Sequence, residues 1–446
     1  MVSKIDGSVN VVLSCEDVAF IIENPYKLQF SPELKVLIDA AQMHNIPIIE
    51  SAFIADCVKE NRYLNVENYV IPQFQVDIEA KYRVKADVPS SLDPRVQDLI
   101  QNLFDQNTLD TSLVDLGLDV RKIKLIDQSS ISRAFSILKQ IEENMSPAPG
   151  QSDSDHGAKL AGMSNDFFGL IPHSASSPPP IKTADMIKEK AQMLTTLVDI
   201  EIAQRLMRQS DPAAELNMNP TDIKYRKLRT KISPLEAYQQ EYAIIQRMVE
   251  NTQSDEFPYS IELEGVFEVD REGEEDRFTP FAKMPHHRLL WHGSRMTNYI
   301  GILSQGLRVA PPEAPVTGYF LGKGIYFANM VAVSGQYCRA TKDKTTGYLL
   351  LADVALGRGY QIAHGKFIGK DDLEDAGFHS VKCAGTKCPD PAYDLIFTEG
   401  MIASLGKESK SIVPVSELIH DEIVIYAPEQ ARIRYMLKVK FNFPTE

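Results

Sequence analysis

The sequence predicts a multidomain chain: a partial α/β segment, then an all-α helical bundle, then an α+β domain. Three observations carry this. Strand-like and helix-like apolar runs alternate over residues 1–72, and apolar stripes at helical spacing dominate residues 87–214. Residues 432–441, within the region 215–446, alternate apolar and charged side chains with the period of a half-exposed strand. A short stretch, 73–86, links the first two regions.

In the first region, Val9 to Leu13 and Ile46 to Ile49 read as strands. Leu34, Leu37, Ile38 and Ala41 make a helix between them, and Phe53, Ile54, Cys57 and Val58 make another after the second. The second region opens at Asp93, which can cap a helix whose first position is Pro94, where a missing N–H costs nothing. Val96, Leu99, Ile100, Leu103 and Phe104 form its apolar face. Ile131, Ala134, Phe135, Leu138 and Ile141 mark a second helix, and Ile187, Ala191, Leu194 and Val198 a third. The stretches 146–157 and 174–180 read as loops from their Ser, Pro, Asp and Gly content. In the third region, Leu349 to Val354 and Glu422 to Tyr426 read as strands, and Gly318, Gly322 and Gly324 mark tight turns or a close ligand approach.

Composition narrows the function classes. The 446 residues carry a formal charge of −14, the reverse of the basic footprint that nucleic-acid binding leaves, so direct DNA binding is not expected. The one basic cluster, Lys224 to Lys231, reads as a solvated face. No apolar run reaches the ~18 residues of a spanning helix, so no membrane is expected, and residues 1–10 lack the order of a signal peptide. Five scattered cysteines suit reduced thiols, with Cys383 and Cys388 read as loop thiols and no metal site expected. No GxGxxG or P-loop is present, which disfavours a dehydrogenase. The acidic run Glu268 to Asp276 reads as a solvated hairpin loop, His286 and His287 as surface, and Asp421 as a loop charge.

Three phrases are more specific: RLLWHGSR (288–295), GYFLGKGIYFAN (318–329) and HDEIVIY (420–426). With GILSQGLRVAPPEAPVTGY (301–319), LADVALGRGY (351–360) and YMLKVKFNF (435–443), they resemble the catalytic domain of poly(ADP-ribose) polymerases, in order and spacing. VQDLIQNLFD (96–105), FFGLIPH (167–173) and MLTTLVDIEIA (193–203) resemble that family's helical regulatory domain. IPIIESAFIADCVKENRYL (46–64) resembles the C-terminal half of a BRCT domain, with Phe53 where tryptophan is usual and the N-terminal part missing, so phosphopeptide binding is not expected. The only tryptophan, Trp291, belongs to the catalytic phrase, so no WGR domain is expected.

The resemblance implies an ADP-ribosyltransferase fold with antiparallel sheets and an NAD-consuming enzyme. It would cleave the nicotinamide glycosidic bond and pass ADP-ribose to proteins, itself included, and to the growing polymer. NAD is then a consumed substrate, with no further cofactor. The catalytic set implied is Glu422, His292 and Tyr326. His292 would hold the adenosine ribose, Gly293 and Ser334 the carboxamide, and Tyr326 and Tyr337 the nicotinamide ring by stacking. Ser294, Asn298, Arg308 and Tyr319 would line the rest of the dinucleotide, Asn298 and Arg308 on its adenosine side. Glu422 would support the developing cation and activate the acceptor hydroxyl.

The family also implies a nucleus-resident enzyme of DNA repair with chromatin or repair partners, and a helical lid over the NAD site. Val333, His420 and Phe320 depart from the residues common at acceptor-side positions, which predicts altered chain length or branching. Without a WGR domain, DNA breaks are expected to stimulate the chain weakly. Transfer of single units and an NAD-binding scaffold are the alternatives, and Glu422 argues against the first.

Overall fold

The computed structural model describes residues 88–208 and 218–444, except 124–125, 148 and 150–151. It also describes four upstream strands: β1 (Val2–Ile5), β2 (Ser8–Val11), β3 (Phe20–Ile22) and β4 (Ile48–Glu50). β1 pairs antiparallel with β2, and β3 pairs parallel with β4. The two N-terminal helices and the rest of the BRCT-like phrase lie outside the described residues. The chain falls into two compact units. One comprises Met1–Ser91 and Leu206–Ile223; the other comprises Leu92–Arg205 and Lys224–Glu446.

The larger unit opens with the bundle: α1 (Pro94–Leu103), α2 (Gln106–Asp115), α3 (Val120–Ile123), α4 (Gln128–Glu143), α5 (Asp153–Leu170) and most of α6 (Ala184–Arg208). Local chemistry sets the starts. Asp93 accepts from Arg95 N–H at 2.8 Å, Asp105 from Thr108 N–H at 2.8 Å and Asp127 from Ser130 N–H at 2.8 Å. Each such cap is worth about 1 kcal/mol. The loop expected at 146–157 is shorter than its composition suggests. Ser152 accepts from Asp155 N–H and donates back to its carboxylate, so α5 begins at Asp153. The apolar stripes of α1 and α4 face inward: Leu99, Ile100, Leu138 and Ile141 are fully buried.

The C-terminal half folds around two larger sheets. The larger has the order β13-β14-β7-β9-β17-β6-β5. Its strands are β5 (Thr230–Pro234), β6 (Ser260–Arg271), β7 (His287–Gly293), β9 (Thr346–Ala355), β13 (Asp394–Ile396), β14 (Ile402–Ser404) and β17 (Ala431–Asn442). The smaller has the order β10-β11-β16-β8, from β10 (Gly359–Ile362), β11 (Ser380–Cys383), β16 (Glu422–Ile425) and β8 (Ile325–Phe327). A two-stranded ribbon joins β12 (Lys387–Pro389) to β15 (Glu408–Lys410). Both larger sheets are mostly antiparallel, with one parallel pair each: β14 with β7, and β10 with β11. The second needs a crossover, and the helix Lys370–Asp375 supplies it. Trp291, Leu349, Leu351, Leu437 and Val439 share one core.

Four expectations change. The acidic run is not a solvated loop: Glu268 to Arg271 end β6, and Glu274 is buried in an ion pair with Arg271 at 2.7 Å. His287 is buried beside Asp353 at 2.8 Å, because β7 pairs with β9 there; His286 alone is surface, at φ 61°. Cys383 and Cys388 lie on strands, and Cys383 is fully buried. Asp421 is fully buried as well.

Candidate active site

The site forms where the two sheets meet. Trp291 on β7 and Ala328, just past β8, exchange both backbone hydrogen bonds, at 2.8 and 3.0 Å. That splice sets His292 against Tyr326, and His292 Nδ1 lies 2.9 Å from the Tyr326 carbonyl oxygen. A carbonyl only accepts, so Nδ1 carries the hydrogen and Nε2 is left as an acceptor. Burial pushes the His292 pKa down, which keeps the ring neutral. Gly293 follows at the end of β7. A Cβ there would lie 1.9 Å from the Ser334 carbonyl oxygen, so the backbone of the helix Val331–Gly335 demands glycine. Ser334 itself is buried.

Tyr326 is fixed at both faces of its hydroxyl, which accepts from Leu321 N–H at 2.9 Å and donates to Gly322 C=O at 2.9 Å. Tyr337, on the short turn Gln336–Cys338, stays 42% exposed. β16 pairs with β8 so that Val424 lies opposite Tyr326, which puts Glu422 two residues along the neighbouring strand. Burial raises the pKa of both tyrosine hydroxyls, and the Glu422 charge adds to it. Glu422 opens β16, opposite Cys383 on β11. Burial raises its pKa, and the ammonium of Lys188 on α6 opposes that shift.

The remaining residues divide. Asn298 donates to Ser294 Oγ at 2.9 Å, which ties the turn after β7 to itself. Arg308 and Tyr319 are instead engaged by the bundle. Arg308 pairs with Asp199 of α6 and donates to Gln305 at 3.2 Å. The Tyr319 hydroxyl hydrogen-bonds Thr195 of the same helix. Glu142, near the end of α4, accepts from the backbone N–H groups of Val316 and Thr317 at 2.8 and 2.5 Å. Lys188 packs over Gly318, where a Cβ would meet its Cγ at 3.1 Å. Asp199 also fills the space a side chain at Gly301 would need, at 2.2 Å, and burial against the pull of Arg308 pushes its pKa up to about 7.

Three residues at the strand carrying Glu422 have no local signal in the sequence. Buried Asp421 accepts from buried Asn329 and pairs with the partly exposed Lys382. Among the described residues, no group of three or more His, Cys, Asp and Glu side chains could hold a metal ion, and no helix is long and apolar enough to cross a membrane.

Residues 239–441 match the family model described as the poly(ADP-ribose) polymerase catalytic domain, and residues 90–225 match its regulatory domain. The chain is 38% identical over 370 residues to poly [ADP-ribose] polymerase 1 of Danio rerio, covering 82% of this chain and 35% of that protein. It is 39% identical over 372 residues to poly [ADP-ribose] polymerase 1 of Xenopus laevis, covering 82% and 36%. It is 37% identical over 374 residues to poly [ADP-ribose] polymerase of Sarcophaga peregrina, covering 83% and 36%. The chain thus spans about a third of the length of the curated relatives it matches. The two matches describe a catalytic domain preceded by a helical regulatory domain. The chain belongs to the poly(ADP-ribose) polymerase family.

Proposed function

We propose that this chain consumes NAD, releases nicotinamide, and transfers ADP-ribose to proteins, itself included, and onward to a growing polymer. The observation that carries the reading is Glu422 and Tyr326 on adjacent paired strands, with a neutral His292 bonded to the Tyr326 carbonyl. Breaking the glycosidic bond passes through an oxocarbenium-like state. Two aromatic faces suit a flat nicotinamide ring, and a half-buried carboxylate at the ribose favours positive charge there. The bare Nε2 of His292 suits a ribose hydroxyl, which donates to it. Gly293 and Ser334 are proposed to hold the carboxamide, and Ser294, Asn298, Arg308 and Tyr319 the rest of the dinucleotide. Glu422 then also takes the proton of the acceptor hydroxyl during elongation.

The bundle is proposed to act as a lid, since it engages Arg308, Tyr319 and the loop at 316–317. The domain limits proposed are 1–72, 73–86, 87–214 and 215–446. On the acceptor side, His420 is buried, bonded to Glu408 at 2.7 Å and stacked on Phe257, and Val333 is buried too. Neither can reach out to an incoming ADP-ribose unit, which supports altered chain length or branching. Residence in the nucleus, chromatin or DNA-repair partners, and weak stimulation by nicked DNA complete the proposal.

The test is incubation with labelled NAD beside Glu422→Gln, followed by gel electrophoresis. A high smear in the wild type that shrinks to a discrete band in the variant is the expected result. Discrete bands from both would replace polymerisation with single-unit transfer, and no label on a folded chain would sink the enzymatic reading.

A further inference from the structure

Glu422 must present its carboxylate at one place, yet it is the first residue of a four-residue strand. Strand ends fray unless something holds them. The residue before it supplies the hold. Asp421 is fully buried, and its two carboxylate oxygens reach both neighbouring strands. Oδ1 accepts from Gly385 N–H at 2.9 Å, just past β11. Oδ2 accepts from Asn329 Nδ2 at 2.8 Å, just past β8, and pairs with Lys382 Nζ of β11 at 2.7 Å.

The surroundings leave little slack. A Cβ on Gly385 would lie 2.4 Å from the backbone of His420, so that loop lies directly on the strand entry. The next segment continues along it, with Thr386 and Lys387 N–H bonded to the carbonyls of Leu418 and Ile419. A buried carboxylate is costly unless paired and hydrogen-bonded, and this one has three donors. β16 lies between β11 and β8, so the group clamps the middle strand to both its neighbours one residue before Glu422.

We propose that Asp421, with Lys382 and Asn329, is a positioning group that fixes the Glu422 carboxylate for nicotinamide cleavage. It touches no substrate atom itself. The inference rests on the reading of Glu422 given above. It assigns Asp421 an effect on turnover and not on NAD affinity, because its bonds run to the sheet and not to the cleft.

The test is a double-mutant cycle on the full chain, reading nicotinamide release and NAD binding by calorimetry. Asp421→Asn turns its amide N–H either toward Gly385 N–H or toward Lys382 and Asn329, so donor faces donor in either orientation. Its kcat should fall roughly tenfold with NAD affinity within about twofold. In a Glu422→Gln background the same change should cost less than about twofold, because nothing remains to be positioned. Adding Lys382→Met to Asp421→Asn should recover part of the loss. Should Asp421→Asn not fold, Lys382→Met alone, at a side chain 35% exposed, carries the same cycle with a smaller loss. Equal losses in both backgrounds, or loss of NAD affinity in step with kcat, would reduce Asp421 to a structural residue and overturn the proposal. Nicotinamide release from the wild type with an unimpaired Asp421→Asn would also overturn it, while leaving the function intact. No release from the wild type would remove the reading beneath it, and the proposal with it.

Discussion

The two ends of the candidate cleft are built differently. At one end, His292, Gly293, Ser334, Tyr326 and Glu422 are placed by strand register and by backbone contacts inside the catalytic fold. At the other, Arg308, Tyr319 and the segment 316–317 are bonded to helices α4 and α6 of the bundle. On the function proposed above, the reacting groups sit at the end held within the catalytic fold, and the contacts with the bundle sit at the other end. A regulated enzyme gains from this division, because a bundle that lets go changes access without disturbing the reacting groups.

The largest effect should come from breaking the fixed end. Gly293→Ala puts a methyl against the Ser334 carbonyl, where both partners are backbone and neither yields cheaply. A displacement of about 1 Å at this point should lower kcat/KM for NAD roughly 100-fold. Nicotinamide release checks it; near-normal turnover would mean the approach of Ser334 is softer than the geometry implies.

The gripped end should respond in the opposite direction. Asp199→Ala removes the carboxylate partner of Arg308 and a contact between bundle and cleft. NAD affinity should rise roughly fivefold or more, the low range of measured coupling energies. Arg308→Ala should lower it, so calorimetry on the pair separates release of the lid from loss of a ligand contact. Reduced affinity in Asp199→Ala would argue that the ion pair props the site open.

The same pair gives a pH dependence whose sign is easily guessed wrongly. Burial holds the docked Asp199 at about 7, whereas a solvent-exposed aspartate titrates near ~4. Between those values the docked state binds a proton that the released state does not. Docking is therefore strongest at low pH and weakens as pH rises through about 7, despite the ion pair formed above it. NAD affinity should climb from pH 6 to 8 in the wild type by a few-fold, and the slope should flatten in Asp199→Asn. An identical slope in both proteins would assign the titration elsewhere.

What could be read from the sequence follows the same division between local and distant causes. Asp93 and Pro94 announce a helix start because cap and first turn are neighbours in sequence, and the structure has both. The alternation over 432–441 survives in β17 although its pairing shifts register between Lys438 and Val439. Ser152 was legible in principle as a cap, yet the surrounding Ser, Pro and Asp content favoured a loop. Asp199 sits among apolar residues of α6, and helical periodicity says nothing of Arg308, 109 residues away. Asp421 and His287 fail for that reason too. Their partners Asn329 and Asp353 lie 92 and 66 residues off, and only sheet order brings them together. The phrases mark the proposed core of the site, whereas the contacts that support it join residues far apart in sequence.

The smallest effect sharpens the comparison most. Tyr326→Phe keeps the ring but removes a hydroxyl that ties β8 to Leu321 and Gly322. Those two residues continue the loop whose start, at Val316 to Tyr319, the bundle holds. The hydroxyl is thus a link between the fixed end and the gripped end. Its net contribution should be about 0.5 kcal/mol, which corresponds to roughly a twofold rise in KM for NAD with kcat little changed. If the two ends are independent, Tyr326→Phe and Asp199→Ala should add in free energy. If the loop transmits the bundle's grip to the ring, the gain from Asp199→Ala should shrink in the Tyr326→Phe background.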